Sequence, residues 1–260
     1  MTSSHLVALQ WHGAVATITM NDPATLNAAS LSMVEELAAT LAQASMEARA
    51  IILTGEGRAF CSGANLAQFD FADPDYDAGA GLETHYSPLI EQIRQSPCPI
   101  VAAVNGAAAG FGCALTFACD FAVAGEGAFF LLPFRNIGLV ADAGVAYLVQ
   151  KAAGRMRASE MMLLGDRIPA AQALAWGLVN RVVAKEDLLT SASAVAERLA
   201  NGPPMALSLM RRLGWLAGEI SFEQMLALER EYQTQVGRTA EHREGVAAFL
   251  EKRQADFHRS

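Results

Sequence analysis

Two loops rich in glycine and alanine are the first candidates for chemistry in this sequence. Residues 63–65 follow a predicted strand, and residues 105–112 lie between a predicted strand and a predicted helix. Small residues let the backbone approach a ligand closely, and free N–H groups at a helix start carry partial positive charge. Such groups can hold an oxyanion without a charged side chain. An oxyanion hole is therefore one interpretation, and plain turns or close helix packing are the others.

A nucleotide-binding loop is a further interpretation of residues 105–112. Gly110 and Gly112 match the first half of a dinucleotide fingerprint, but Leu115 stands where a third Gly or Ala belongs. A Walker A loop does not fit, because the sequence has no Gly-Lys-Ser/Thr. Nucleotide binding is accordingly the weaker alternative.

The elements that must position these loops alternate between strands and helices and then become helical only. Ser32 and Glu35 match a capping box at the first helix. After about Asp187, four amphipathic runs follow. This order predicts an α/β core over residues 1–190 and a helical C-terminal domain over residues 191–260. Strands are predicted at 6–11, 14–20, 50–54, 99–104, 120–124 and 129–132, and helices at 32–46, 89–93, 113–119, 143–153 and 158–164.

The composition narrows the classes of function. A net charge of −8 argues against nucleic-acid binding. No apolar run reaches the roughly 18 residues of a membrane span, and the N-terminus lacks the pattern of a signal peptide, so a cytoplasmic protein without membrane contact is expected. The four cysteines form no CxxC pair, which predicts buried reduced thiols. No metal site is predicted, because the aspartates of residues 70–77 lack EF-hand spacing.

Five blocks of the sequence resemble, in order, the motifs of the crotonase (enoyl-CoA hydratase/isomerase) family. They cover nearly the whole chain, which is therefore identified as a member of that family. The blocks are residues 59–66 (AFCSGANL), 99–106 (PIVAAVNG), 136–144 (NIGLVADAG), 173–180 (ALAWGLVN) and 243–253 (REGVAAFLEKR).

The resemblance implies a spiral of ββα units with a helical C-terminal trimerisation domain, and a homotrimer or a hexamer of two trimers. It implies that the N–H groups of Ala64 and Phe111, beside Gly110, bind the thioester oxygen of an acyl-CoA. Coenzyme A is then part of the substrate, and no separate cofactor is implied. The residues implied to contact the CoA are Thr25, Leu26, Ala28, Asn65 and Leu66, with Phe249 and Lys252 of a neighbouring subunit at the adenine end.

Two glutamates of the family's hydratase pattern are missing from this sequence. The resemblance places them at positions 114 and 134, which are Ala114 and Phe134 here. Neither side chain can move a proton, so hydration of a 2-enoyl-CoA is disfavoured. Phe111 stands where Gly or Ala is usual in the family; its N–H can still donate, while its side chain would reshape the pocket.

One carboxylate remains, Asp142, at a position that is acidic in several isomerases and aryl-CoA dehalogenases of the family. It also precedes a predicted helix, so an N-cap role is the alternative. A single base can carry a proton from the α-carbon to the γ-carbon of a 3-enoyl-CoA. We therefore predict a Δ3 to Δ2 enoyl-CoA isomerase with Asp142 as its base and with Phe134 and Leu139 as apolar walls.

Three other functions stay open at this stage. An aryl-CoA dehalogenase-like hydrolase would use Asp142 as a nucleophile. Its histidine base would be His85, although that pattern has a tryptophan where Phe134 stands. The loss of both glutamates also fits a non-catalytic acyl-CoA-binding homologue. A nicotinamide enzyme is the third possibility, and it needs the glycine that is missing.

Overall fold

Ten strands form two sheets in the part of the chain that the computed structural model describes, residues 5–258. The larger sheet has the order β1-β2-β3-β5-β7-β10, and the smaller sheet has the order β4-β6-β8-β9. The strands are β1 (Val7–His12), β2 (Val15–Met20), β3 (Ala50–Gly55), β4 (Ala59–Cys61), β5 (Ile100–Val104), β6 (Ala107–Ala109), β7 (Phe121–Gly125), β8 (Phe129–Leu131), β9 (Ile168–Pro169) and β10 (Arg181–Val183).

From β3 to β8, successive strands of the chain alternate between the two sheets. β3, β5 and β7 are parallel neighbours in the larger sheet, and β4, β6 and β8 are parallel neighbours in the smaller one. Each of the three successive pairs β3/β4, β5/β6 and β7/β8 therefore adds one strand to each sheet before a helix follows, which is a spiral of ββα units. Parallel neighbours end at the same edge of a sheet. The loops after β4 and β6 are consequently brought side by side.

Ten helices within residues 5–258 cover the sheets. They are α1 (Leu31–Glu47), α2 (Ser87–Gln95), α3 (Phe111–Ala118), α4 (Val145–Ala153), α5 (Arg155–Leu164), α6 (Ala170–Trp176), α7 (Leu188–Ala200), α8 (Pro204–Leu216), α9 (Phe222–Val236) and α10 (Ala240–Glu251).

Strand β3 shows how the central strands serve two cores. All of its residues are buried. Ile51 and Leu53 contribute to the main core, whereas Ala50 and Ile52 belong to a second cluster with α7. Since successive side chains of a strand point to opposite faces, this alternation places α7 against one face of the sheet. The predicted domain boundary at residue 190 stays a prediction, and it falls inside α7.

The Arg211 side chain links α8 to the core by an ion pair and hydrogen bonds. Its Nε donates to the Asp120 carboxylate at 2.7 Å, its Nη2 donates to the Ile93 carbonyl at 3.1 Å, and its Nη1 donates to the Ser96 carbonyl. Both side chains of the ion pair are largely shielded from water, with 7% and 13% of their surface exposed. The Arg211 side chain therefore joins α8 to Asp120, just before β7, and to the end of α2.

The last three helices bury few of their own side chains within one chain. Among their described residues, only Tyr232 and Ala248 are buried. Apolar side chains on this surface include Met210, Phe222 and Leu250, all exposed. A surface of this kind is typical of a contact with another protein. The homotrimer or hexamer stays a prediction.

The structure differs from the predicted elements at the first helix N-cap, at several short elements and at the start of α3. The N-cap of α1 is Ser30, whose Oγ accepts from the Met33 N–H at 3.1 Å, so the capping box assigned to Ser32 and Glu35 is wrong. Strands β4 and β6 lie in stretches predicted as loop, and no element was predicted at β9, α6 or β10. Helix α3 begins at Phe111, two residues earlier than predicted. The α/β core and the four helices after Asp187 are confirmed.

Two further predictions concerned membrane-spanning segments and the state of the cysteines. No helix in the described residues is long and apolar enough to cross a membrane. All four cysteines are free; Cys119 is half-buried, and the others are buried. Burial raises the pKa of Cys61 to about 11 and that of Cys113 to about 12. These two thiols therefore stay protonated at neutral pH.

Candidate active site

The first loop is held by a parallel bridge between Ala29 and Ala64. The Ala29 N–H donates to the Gly63 carbonyl at 2.8 Å, and the Asn65 N–H donates to the Ala29 carbonyl at 3.2 Å. Both bonds skip Ala64, so its own N–H and carbonyl point away from Ala29. The Ala64 N–H donates to no acceptor in residues 5–258. It is therefore available to a ligand.

The second loop opens α3 with Gly110 as its N-cap. Gly110 has φ 51° and ψ −113° and donates its N–H to the Leu131 carbonyl at 2.9 Å. Phe111 is the first residue of the helix, and its N–H has no acceptor among the described residues. A first-turn N–H without an intrahelical partner is a ready donor to an anion.

Both loops line one cavity of about 120 Å³. Its wall is mostly apolar, and Asp142 is its only carboxylate among the described residues. No Lys, Arg or His side chain lines it in that part of the chain. The lining residues are Ser62, Gly63, Ala64, Leu66, Tyr86, Gly110, Phe111, Pro133, Phe134, Ile137, Leu139 and Asp142.

The Asp142 side chain is half-buried, and its carboxylate has no hydrogen-bond or ion-pair partner within residues 5–258. The backbone carbonyl of this residue accepts from the Val145 N–H at 2.9 Å. Burial raises the pKa of this carboxyl group to about 6. Loss of water disfavours the charged form, and no nearby cation opposes it. A carboxylate with a pKa near neutrality is suited to accept a proton and return it.

The N-cap interpretation of Asp142 is wrong. Helix α4 begins at Val145, its N-cap is Gly144, and no side chain caps it. Ala143 and Gly144 both have positive φ, at 47° and 74°. Such values are costly for a residue other than glycine and cluster at functional sites. Because of these two left-handed residues, α4 begins only at Val145, and the Asp142 side chain makes no capping hydrogen bond to it.

The positions that carry glutamates in the hydratase pattern have different surroundings here. Phe134 lies in the short helix Pro133–Ile137 and lines the cavity, with its Cζ 3.7 Å from where a β-carbon on Gly110 would lie. Ala114 is fully buried in α3. Neither position offers a proton-transfer group, and Phe134 and Leu139 form part of the apolar wall of the cavity.

The segment predicted to contact CoA is bound to the first loop. The Ser62 N–H donates to the Leu26 carbonyl and the Ser62 Oγ donates to the Thr25 carbonyl, both at 3.1 Å. Leu26 and Asn27 have positive φ, at 60° and 55°. The buried Asn27 amide donates to the Ala59 carbonyl at 2.8 Å, which holds this conformation.

The other predicted CoA contacts divide into two groups. Ala28 follows the same segment, and Asn65 and Leu66 continue the first loop, with Leu66 lining the cavity. Phe249, 81% exposed, and Lys252 lie at the end of α10 and do not line this cavity in their own chain. Their contact with the adenine end of a CoA in a neighbouring subunit stays a prediction.

His85 is not placed to act on a ligand in the cavity. Its Nε2 lies 2.9 Å from the Glu35 carboxylate, and its Nδ1 lies 2.7 Å from the Thr84 hydroxyl. Both ring nitrogens are engaged outside the cavity lining. The arrangement does not support the histidine base of a dehalogenase.

Tyr86 is one of the lining residues that the sequence did not indicate, together with Pro133 and Ile137. It ends the helical turn Leu82–Tyr86, ahead of α2, and is 4% exposed. Its hydroxyl donates to the Ala29 carbonyl at 2.7 Å. No periodic pattern marks so short a turn, so only the tertiary structure brings Tyr86 to the site.

No group of three or more His, Cys, Asp or Glu side chains suited to a metal occurs within residues 5–258. The cavity combines backbone N–H donors, apolar walls and one carboxylate. This arrangement defines a site for an ester-like or thioester-like carbonyl group.

The chain belongs to the enoyl-CoA hydratase/isomerase family, whose sequence profile matches residues 10–260. It is 38% identical over 247 residues to the 1,2-epoxyphenylacetyl-CoA isomerase of Escherichia coli, with 94% of each chain covered. It is 39% identical over 255 residues to a protein of Rhodobacter capsulatus named probable enoyl-CoA hydratase, with 98% of each covered.

A solved structure has the same fold. The enoyl-CoA hydratase of Geobacillus kaustophilus matches with a TM-score of 0.90 and 34% identity, covering 97% of each chain. The crotonase fold is thereby confirmed, and the chain is an acyl-CoA-processing enzyme of this family. The names of its relatives include both hydratases and an isomerase.

Proposed function

We propose that this chain is an enoyl-CoA isomerase that shifts a double bond from Δ3 to Δ2, with Asp142 as its base. One observation carries the proposal. Asp142 carries the only carboxylate among the described cavity residues, this carboxylate has no hydrogen-bond or ion-pair partner there, and its pKa is raised to about 6.

The proposed reaction moves one proton across one face of the substrate. Asp142 removes a proton from C2, and the C2–H electrons form a C1=C2 bond while the carbonyl π electrons move onto the thioester oxygen. The intermediate is a dienolate that still holds the C3=C4 bond. The N–H groups of Ala64 and Phe111 stabilise the negative charge on this oxygen, each donor being worth about 3–4 kcal/mol. Asp142 then delivers the proton to C4. The C3=C4 electrons form the C4–H bond, the C1=C2 electrons form the C2=C3 bond and the carbonyl is restored, so no atom or electron is gained or lost.

Hydration fits the site less well than isomerisation. It needs one group to position water and one to exchange protons, and Ala114 and Phe134 stand at those positions. The wall formed by Phe134 and Leu139 is also apolar. An apolar wall around a lone carboxylate favours transfer of a proton within the substrate over addition of water.

A second candidate is isomerisation of a ring-bearing acyl-CoA such as the 1,2-epoxyphenylacetyl-CoA in the name of the 38% identical relative. The aromatic rings of Tyr86, Phe111 and Phe134 in the cavity wall favour it. Edge and face contacts between rings add to the burial of apolar surface. Both candidates are isomerisations without a separate cofactor, and a homotrimer or hexamer in the cytoplasm belongs to the same proposal.

The test is to mix the purified protein with 3-hexenoyl-CoA and follow the absorbance of the conjugated 2-enoyl thioester. We expect turnover by the wild type and by Asp187→Asn, an exposed aspartate at the start of α7 that serves as control. We expect Asp142→Asn to lose at least about a hundredfold. Full activity of Asp142→Asn would contradict the assignment of the base.

The same experiment separates the alternatives. Turnover of 1,2-epoxyphenylacetyl-CoA but of no 3-enoyl-CoA would support the second candidate. No turnover of either substrate, with CoA esters still bound, would support a non-catalytic acyl-CoA-binding protein.

A further inference from the structure

Tyr86 contacts both halves of the site through two different parts of its side chain. Its hydroxyl donates to the Ala29 carbonyl at 2.7 Å, on the side of the first loop. Its ring meets the ring of Phe111 at 74°, with centroids 4.8 Å apart, on the side of the second loop. Tyr86 thereby connects the two loops that carry the free N–H groups.

On the first side, the connection runs through the bridge between Ala29 and Ala64. The Ala29 carbonyl accepts from the Asn65 N–H at 3.2 Å and from the Tyr86 hydroxyl at 2.7 Å. The Ala29 N–H donates to the Gly63 carbonyl at 2.8 Å. Holding Ala29 in place therefore holds the residues on both sides of Ala64, and so the direction of the Ala64 N–H.

On the second side, the connection runs through the first residue of α3. Phe111 carries both the free N–H and the ring that meets Tyr86. Its ring is 3% exposed, and an edge-to-face contact fixes the relative orientation of two rings. Because ring and N–H share one α-carbon, immobilising the ring restricts the rotation of the N–H.

The Tyr86 ring is itself immobilised. It is 4% exposed, its hydroxyl end is tied to Ala29, and its Cε2 lies 3.4 Å from where a β-carbon on Gly81 would lie. Burial raises its pKa to about 12; a hydrogen bond with the Gln68 side chain opposes the shift, and the charge of Asp142 adds to it. Tyr86 therefore remains a neutral phenol whose proton is engaged by a backbone carbonyl.

We propose that Tyr86 is a positioning residue that aligns the N–H groups of Ala64 and Phe111 on one thioester oxygen. The inference rests on the oxyanion hole of the proposed function, and it does not depend on which isomerisation follows. Asp142 moves the proton, whereas Tyr86 determines how well the two N–H groups are aligned to stabilise the negative charge on the thioester oxygen. A misplaced donor loses much of its effect, because electrostatic stabilisation depends on preorganised geometry.

The test is Tyr86→Phe, which removes the hydroxyl and keeps the ring. Crotonyl-CoA with ¹³C at its thioester carbon is the probe, and the infrared carbonyl band of the bound ester reports its polarisation. We expect the wild type to shift the band to lower frequency and Tyr86→Phe to lose part of that shift. With 3-hexenoyl-CoA, kcat should fall about tenfold while KM changes less than about twofold.

Tyr232→Phe is the matched control. Tyr232 is also buried, at 6% exposure, but its hydroxyl has no hydrogen-bond partner within residues 5–258, and it lies in α9 away from the cavity lining. We expect the control to keep the carbonyl shift, kcat and KM of the wild type. Tyr86→Leu removes the ring as well and should lose more of the carbonyl shift than Tyr86→Phe, with urea unfolding used to confirm that each variant is folded.

The outcomes separate this inference from the proposed isomerase. A Tyr86→Phe variant with the wild-type carbonyl shift and kcat would overturn the role of Tyr86. A shifted band in a wild type that turns over no substrate would contradict the isomerase, and the comparison of shifts would still decide the role of Tyr86. An unshifted band in the wild type would overturn the oxyanion hole and this inference with it.

Discussion

Gly63 and Gly110 pack against each other where the two loops of the site meet. A β-carbon on Gly63 would lie 4.0 Å from the Gly110 Cα, and one on Gly110 would lie 3.9 Å from the Gly63 Cα. Both residues have positive φ, at 103° and 51°. Gly63 precedes Ala64 and Gly110 precedes Phe111. Because neither glycine has a side chain, the two loops that carry the free N–H groups can pack closely at this contact.

Gly63→Ala is expected to disturb both stability and turnover. The new β-carbon would lie 3.1 Å from the Ala109 carbonyl oxygen, and a φ of 103° is strained for alanine. We expect a loss of about 1–3 kcal/mol in the free energy of unfolding, measured in urea, with a fall in kcat. Gly13→Ala is the control, since Gly13 has φ 61° with nothing within 4 Å. Equal effects of the two substitutions would contradict the close contact.

The pH dependence of the reaction should report Asp142. Burial raises the pKa of this carboxyl group to about 6, and a base must be deprotonated to act. We therefore expect kcat/KM to be level above about pH 7 and to fall tenfold for each unit below about pH 6. Initial rates between pH 4.5 and pH 8.5 would measure it. A profile that stays level down to pH 4.5 would be incompatible with Asp142 as the base.

Asp142→Asn should stabilise the fold at alkaline pH. The carboxyl group has a pKa of about 6 in the folded state against an ordinary value of 3.8, so the folded state binds the proton more tightly. The charged form thus opposes folding above about pH 6, and this cost disappears as the pH falls toward 4. After discounting for partial exposure, we expect a gain of about 1 kcal/mol at pH 8 and none at pH 4.

Urea unfolding of Asp142→Asn and wild type at these two pH values measures the gain. Asp187→Asn, whose side chain is exposed, should show no such difference. A gain of the same size at both pH values would have to come from a cause other than desolvation of the carboxylate.

Arg211→Met should destabilise the chain by leaving Asp120 charged and unpaired. The two side chains form a shielded ion pair at 2.7 Å. Removing one partner of a buried pair costs about 3–5 kcal/mol. The neighbouring Arg212 is exposed, so Arg212→Met is the control. Thermal unfolding should show a clear fall in Tm for the first variant only, and an unchanged Tm would mean that the pair contributes little.

Local chemistry explains what the sequence alone predicted. The buried strands β3 and β5 are continuous apolar runs, which parallel strands covered on both faces require. The two small-residue loops were recognisable because close backbone approach needs small side chains. The absence of glutamate at positions 114 and 134 and the presence of Asp142 are facts of composition. These features predicted an α/β core, and the resemblance to the family implied the spiral of ββα units and the candidate base.

Long-range contacts decided the rest. Three alanines read as loop, and they become β6 only because β4 and β8 pair with them. Asp142 reads as an N-cap, and positive φ at Ala143 and Gly144 frees it. His85 was the candidate histidine base in the dehalogenase alternative, yet its ring contacts the Glu35 carboxylate. The neighbouring residue, Tyr86, lines the cavity instead. Successive residues of a helical turn face different directions, and only packing between distant segments determines which of them faces the site.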